Sequence, residues 1–295
     1  FNISSRLSII SLLSTNTISE GDTRDASLKF ILENGGKIIR ANRSFRWPGA
    51  AAIQAAFISF IKQNWKISCF LDERIVNEIN HYLEPTSFYK DPFPLQDEKA
   101  NSYIGSVPYG DGFILTPFEA KTLLDTNNSN SVVVKPYFTG DDINSYSPSH
   151  IERFIIDFKT MSIKDAQKYC EIFSIVEKKV KPFRQSLDPK HYQSMIDNWW
   201  VFWRPRNEFY SKIGDKRKII VFALTSKFIT PTLIDTGAVF DQSLVCIPSE
   251  SFDLFAVLQS TFHCEWVSTY GATMGDTLRY NPSRCYLTFP LPNVN

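Results

Sequence analysis

What the sequence lacks narrows its function first. Five cysteines, at 69, 170, 246, 264 and 285, form no Cys-x-x-Cys pair, and an odd, scattered set is not a disulfide framework. Four isolated histidines supply no zinc-ligand spacing, so no metal is expected. No apolar run reaches the ~18 residues that span a bilayer; no membrane contact is expected, and the cytoplasm fits. An excess of one charge is missing too. Thirty-two basic and 31 acidic residues leave a net charge of +1, which excludes a uniformly basic, histone-like surface. A local basic groove remains open, because steering depends on how charge is distributed. The chain opens Phe-Asn-Ile-Ser-Ser, without an initiator Met or a signal-peptide pattern, and reads as a piece of something longer.

The 295 residues suffice for one large or two ordinary domains. Aromatics are plentiful, with 24 Phe, 12 Tyr and 6 Trp; most belong in large cores, and some suit stacking on bases or sugars. Leu7 to Leu13 is a short apolar run suited to a buried strand. Asp22 or Thr23 can cap a helix carrying Leu28, Ile31 and Leu32 that stops at Asn34-Gly35-Gly36. Lys37 to Arg40 begins another strand, and Ala51 to Ile61, apolar on both faces, predicts a strand covered on both sides. Strand, helix, strand, strand is a common ending for an α/β domain. The spacing of Ile75, Val76, Ile79 and Leu83 predicts a helix over 72–83, and Pro85, Pro92 and Pro94 mark a junction.

Beyond the junction, Thr116-Pro117-Phe118-Glu119 is a capping box with proline at the first helical position. Strands are expected at 132–134, 154–158, 218–224 and 239–247. Ser162 with Asp165 caps a long helix whose stripe runs through Ala166, Tyr169, Phe173, Val176, Val180 and Phe183. Ser251 caps another, with Phe255, Leu258, Phe262 and Trp266 on one side, and Cys285 to Phe289 reads as a final strand.

Two clusters suit chemistry. Lys37, Arg40, Arg43, Arg46, Lys62 and Lys66 fall in a stretch with no acid between Glu33 and Asp72, and Trp47 sits in the turn held by Pro48 and Gly49. Cations grip phosphates, and an exposed aromatic beside them can stack on an unpaired base. The same residues also suit a solvated strand face with Trp47 in the core. The second cluster is Lys178, Lys179, Lys181 and Arg184, followed by Arg204, Arg206, Lys216, Arg217 and Lys218. These suit phosphate contacts, and equally a helix carboxyl end and solvated loops. Trp199, Trp200 and Trp203 suit a core better than a stacking platform. His263 and Cys264 are adjacent on a helix and point about 100° apart, so they make no nucleophile pair. Asp141, Asp142 and Asp157 fit caps and turns better than metal ligands.

A series of landmarks runs in order along nearly the whole chain. They include Ser14-Thr15-Asn16-Thr17-Ile18, Gly35-Gly36, Trp47-Pro48-Gly49-Ala50-Ala51, Ile104-Gly105-Ser106, Tyr137-Phe138-Thr139-Gly140-Asp141-Asp142, Val180-Lys181-Pro182 with Arg184, Trp199-Trp200 with Arg204, and Thr288-Phe289-Pro290. The set resembles the methyltransferase tail and target recognition part of single-chain restriction-modification enzymes, the bacterial adenine-N6 enzymes of the Type IIG/IIL group. The resemblance implies flipping of an adenine and methylation of its amine from S-adenosylmethionine. It implies that Trp47 stacks on the flipped base, that Thr15 and Asn16 lie at the active-site edge, and that Arg40, Arg43 and Arg46 line the DNA side. The cofactor loop and the Asn-Pro-Pro-aromatic motif are absent; Asn281-Pro282-Ser283 reads as a turn. The cofactor is therefore expected to bind upstream residues outside this chain.

The expected fold is α+β. Residues 1–66 form the tail of a Rossmann-like methyltransferase sheet, 67–101 a helical, proline-rich linker, and 102–295 a mixed α/β DNA target recognition domain. The expected partners are double-stranded DNA, gripped by Arg40, Arg43, Arg46, Lys181, Arg184, Arg204, Arg206 and Arg217, and upstream methyltransferase or nuclease domains of the same polypeptide. Two alternatives stay open: a non-catalytic DNA specificity subunit, and an aromatic-rich carbohydrate or peptide binder.

Overall fold

The computed structural model describes residues 8–49, 53–62, 68–85, 91–95, 102–147, 149–274 and 277–292. The chain divides into two compact units. The first joins Phe1–Glu98 with Glu265–Pro290, and the second is built mainly from Lys99–Cys264. The returning segment 265–290 packs with the amino-terminal unit.

The first unit is organised by a five-stranded sheet. Its strands are β1 (Ile9–Thr15), β2 (Lys37–Arg46), β3 (Gln54–Ile61), β4 (Cys69–Leu71) and β5 (Arg74–Val76), in the order β1-β3-β2-β4-β5. β3 runs antiparallel to both β1 and β2, so those two run parallel and need a crossover between them. The helical stretch 21–33 supplies it, with a π-turn at Asp25–Lys29. Gly35, at φ +80°, ends this helix, and the Gly36 and Gly35 amides return to the Ile31 and Leu32 carbonyls at 2.9 and 3.2 Å. Those two bonds are a Schellman cap. β3 is covered on both faces, as its composition predicts: Ala55, Ala56, Ile58, Phe60 and Ile61 are buried. Each large apolar side chain so buried contributes roughly 1.5–3 kcal/mol. Leu28, Ile31, Ile38, Leu71, Ile79 and Leu83 complete this core.

The helix expected over 72–83 does not form. Leu71 pairs with Arg74 across a two-residue turn, in which Asp72 and Glu73 take φ of 47° and 62°. Two successive positive φ values define the type I′ hairpin turn, and pairing of β4 along β2 outweighs helical spacing. The Asn80 side chain then accepts the Tyr82 and Glu84 amides, both at 2.9 Å, an Asx-type turn that buries Ile79 and Leu83 without a helix. The final strand at 285–289 is also absent. Asn281 accepts the Ser283 amide and Pro282 opens a short helical turn, Pro282–Cys285. Lys66 and Ala50-Ala51 lie outside the described residues.

The second unit holds two four-stranded sheets, formed by β6 (Tyr103–Ile104), β7 (Ile114–Leu115), β8 (Val134–Phe138), β9 (Phe154–Ile156), β10 (Lys218–Ala223), β12 (Thr232–Asp235), β13 (Val239–Phe240) and β14 (Leu244–Ile247); the short β11 (Thr225–Ser226) belongs to neither. One sheet is ordered β12-β10-β14-β6 and the other β13-β8-β9-β7. The expected capping box is present, with Thr116 Oγ1 accepting the Glu119 amide at 3.2 Å. The long helix is broken into Ile163–Ala166, Cys170–Lys179 and Lys181–Gln185, because Tyr169 leaves helical geometry and Pro182 has no amide proton. Its stripe still packs, with Ala166, Phe173, Val176 and Val180 buried; Phe183 is 44% exposed. The helix capped by Ser251 is likewise two, Phe252–Gln259 and Thr261–Tyr270, and Phe262 faces solvent.

A charge cluster holds the first unit together. The buried Arg24 donates to Asp25 and Asp91 at 2.8 and 3.0 Å and lies 4.0 Å over the Tyr82 ring. Lys29 and the Tyr82 hydroxyl also donate to Asp91, while Arg284 reaches Asp22 and Asp25. Burial alone would raise the Asp91 carboxyl. The bonds from Lys29 and Tyr82 and the charge of Arg24 outweigh it and hold the group well below the usual carboxylate range. Asp91→Asn is expected to lower stability in urea unfolding by about 1–3 kcal/mol. A depressed folded-state pKa stabilises above the unfolded value, about 4, and that contribution is lost as pH falls below it. The gap between wild type and variant should therefore shrink on acidification; a gap independent of pH would remove charge from the account.

Candidate nucleic-acid interface

The strand register brings the candidate residues of the first unit to one end of its sheet. Thr15 pairs with Ala55, Phe45 pairs with the same Ala55, and Arg46 pairs with Gln54. The carboxyl ends of β1 and β2 thus lie on either side of the start of β3, and Trp47 follows directly. The Trp47 amide donates to the Ile53 carbonyl at 2.9 Å, closing the β2–β3 hairpin. Its indole is 38% exposed and folds over Gly49, where a Cβ would stand 2.6 Å from Nε1. Only glycine leaves room for the ring in this position.

The arginines beside it divide by their partners. Arg40 makes two bonds to Glu73, at 2.8 and 2.9 Å, which hold that exposed carboxylate below its ordinary pKa. Arg43 bonds Asp72 at 2.6 Å and Glu84 at 2.8 Å. Arg46 is exposed and has no carboxylate partner among the described residues. Asp72 and Glu73 were missed as partners; they stand at the close of the acid-free stretch, but only the hairpin folds them back onto β2. Thr15 is exposed and shares a hydrogen bond with Thr17 at 2.8 Å. Asn16, Glu20, Arg24, Arg43, Tyr82 and Glu84 line a cleft of about 460 Å³. Asn16 and Arg43 therefore meet in one recess, and Trp47 is not among its lining.

In the second unit the expected phosphate contacts occupy different settings. Lys181 bonds Glu177 at 2.8 Å and lies 5.0 Å over the Trp199 ring. Arg184, expected at the surface, is fully buried, with its guanidinium 5.9 and 5.8 Å from the centres of the Tyr109 and Phe113 rings. Arg204 is exposed and stacks 4.3 Å over the Trp203 ring. Arg206 takes a left-handed conformation, φ 58°, and its Nε donates to the Gly105 carbonyl at 3.3 Å. Partial burial, then the nearby Arg204 charge, lowers its pKa. Arg217 is exposed, with its amide bonded to Glu250.

Trp199 and Trp200 are core residues, as expected, and the Trp200 indole donates to the Met161 carbonyl at 2.9 Å. Trp203 parts from them and reaches the surface at 37% exposure. Asp142 accepts the Thr139 amide at 2.7 Å and Asp157 accepts the Lys159 amide at 2.8 Å, so both serve local turns. No group of side chains suited to a metal ion occurs among the described residues. No helix among them is long and apolar enough to cross a membrane.

Each unit is a mixed α/β body with an exposed tryptophan next in sequence to an exposed arginine, a pairing suited to base and phosphate contacts. Residues 93–293 match the MmeI, target recognition domain family, and the chain belongs to that family. DNA methyltransferase A of Bacillus subtilis (strain 168) is 23% identical over 97% of this chain and 33% of its own length. A solved structure of the Type IIL restriction-modification enzyme MmeI in complex with DNA superposes with a TM-score of 0.78 and 21% identity, over 97% of this chain and 39% of that one. The chain thus spans between a third and two-fifths of the length of these relatives.

His263 is fully buried, and its Nδ1 bonds the Leu258 carbonyl at 2.9 Å. Burial pulls its pKa down to about 4, against the opposing effect of that bond. The ring should stay neutral from pH 8 to 5, with its proton resonances unmoved in an NMR titration. The unfolded chain takes up this proton first, near pH ~6.5, so stability should fall as pH drops from there toward 4. A resonance titrating near 6.5 would show that the ring is solvated.

Proposed function

We propose that this chain is the DNA-recognition portion of a site-specific adenine-N6 DNA methyltransferase that uses S-adenosylmethionine and base flipping, in a restriction-modification or phage-defence system. The carrying observation is the exposed Trp47 indole, set on a tight turn at the carboxyl ends of two parallel strands, beside Arg46, which has no carboxylate partner among the described residues. Open α/β sheets bind ligands beyond the carboxyl ends of their strands. An aromatic there can stack on an extruded base and offset part of the unstacking cost. Arg46, Arg204 and Arg217 are the best-placed phosphate contacts, since each is exposed and its side chain has no carboxylate partner among the described residues. Arg40 and Arg43 are already held by carboxylates, so in this reading they shape the turn more than they grip DNA. Thr15 and Asn16 stand at the edge of the same end of the sheet.

The turn after β1 does not suit the cofactor. The turn that leaves β1 is the 3-10 segment Asn16–Ser19, with Ile18 buried in the core. It provides no glycine-rich cradle, so cofactor binding and the amine-binding motif are assigned to other segments of the polypeptide, the proposed upstream methyltransferase domain. The carbohydrate-binder alternative loses support, because Trp199 and Trp200 are buried. A specificity subunit without catalytic role has no need of a tryptophan presented at the strand ends.

Trp47→Ala in the full-length protein is expected to cut the methylation rate by about 10- to 100-fold, the worth of one base–aromatic stack, while duplex affinity changes by less than about threefold. Equal losses would make Trp47 structural. Arg46→Ala should make the plot of log affinity against log salt shallower by about 0.9, one phosphate contact. Arg40→Ala should change that slope much less; the reverse order would reassign the contacts.

A further inference from the structure

Two arginines among the described residues are fully buried, and their surroundings are opposite. Arg24 is held by Asp25 and Asp91. Arg184 has no carboxylate partner among the described residues. Its Nη2 donates to the Pro108 carbonyl at 2.6 Å, and its Nε and Nη1 are buried without a hydrogen-bond partner among the described residues. Tyr109 and Phe113 present their rings at 5.9 and 5.8 Å. Burial lowers its pKa only to about 10, so it stays charged at neutral pH. A buried cation lacking a counter-charge is among the least favourable groups a fold can retain.

The residue covering it is itself strained. Tyr109 has φ 60°, a left-handed conformation that bulky residues rarely adopt. Its ring lies among Phe183, Tyr192 and Trp203, at 6.1, 5.8 and 5.4 Å. Trp203 carries the exposed Arg204 guanidinium. Val107 and Arg204 exchange backbone hydrogen bonds of 3.0 and 3.2 Å, which fix the Tyr109 turn beside that ring. One cation at the surface, two aromatic rings meeting edge-to-face and one cation beneath them thus form a chain of contacts.

We propose that Arg184 is a phosphate ligand covered by Tyr109, and that a DNA backbone phosphate drawn in by Arg204 displaces the phenol ring and becomes the counter-charge Arg184 lacks. The proposal rests on the DNA-recognition reading and adds a residue and a lid to it. With the ring turned out, Nε and Nη1 each keep an N–H to donate; they lie on different edges of the guanidinium, so a phosphate oxygen takes one charge-assisted bond from either.

Arg184→Met in the intact protein keeps the length of the side chain and removes its charge. It should melt no lower than wild type, since apolar replacement of an unpaired buried charge is neutral or stabilising. It should bind duplex DNA about tenfold more weakly, with a salt slope shallower by about 0.9. Tyr109→Gly suits the left-handed backbone and removes the lid. It should bind duplex several-fold more tightly, and the gain should vanish when Arg184→Met is added. Wild-type affinity and slope in Arg184→Met, or no gain in Tyr109→Gly, overturns the proposal; if Arg184→Met fails to fold, the lid variant alone decides. Inorganic phosphate stabilising Tyr109→Gly as much as duplex does, at matched ionic strength, would also overturn it. Loss of all salt-dependent duplex binding in wild type would sink the DNA reading itself, and this proposal with it.

Discussion

The pairing of β3 between β1 and β2 is the constraint on which the first unit depends. Running antiparallel to both, β3 fixes their register residue by residue and sets their carboxyl ends level with one another. Its near-continuous apolar sequence lets it be covered on both faces, so the register is held by burial as well as by backbone bonds. A slip of one residue would turn every buried side chain to the opposite face. The Trp47 turn, Thr15 and Asn16 owe their common position to this strand, although none of them belongs to it.

Charge compensation is the second organising theme, and it separates structural cations from available ones. Arg24 is affordable inside the first unit because two carboxylates meet it. Arg40 and Arg43 lie at the surface yet are occupied by Glu73, Asp72 and Glu84, and surface pairs of this kind hold geometry more than they add stability. Their pairing leaves Arg46 as the exposed cation next to the indole. In the second unit Arg204 is presented on Trp203, and Arg184 stands beneath Tyr109 without a counter-charge among the described residues. A nearly neutral chain can therefore carry sharply localised positive sites.

Much of the local structure was legible from residue order. The capping box at Thr116–Glu119, the glycine stop after the first helix and the doubly covered β3 each follow from interactions within a few residues. The interruptions were harder to see. The stripe from Ala166 to Val180 is a true helical face, but Tyr169 and Pro182 divide its backbone without moving the stripe from the core. The segment 72–83 has helical spacing and is not helical, because β4 finds a partner in β2, remote in sequence. Of the candidate site, Trp47 was legible as an aromatic in a basic turn. Tyr109 carried no comparable signal, since its role depends on what lies beneath it.

The sequence by itself determined the chemistry available: a tryptophan among arginines, no metal-ligand spacing, no glycine-rich cofactor loop, and an ordered set of landmarks shared with one family. Only the tertiary structure decided which of those residues are free to act. Asp72 and Glu73 neutralise arginines up to 33 positions away, Arg184 is buried by a turn 76 residues earlier, and 265–290 returns to the first unit. Whether a cation can meet a phosphate depends on its solvent exposure and its nearest opposite charge. Both are set by contacts between residues distant in the chain, which no local pattern encodes.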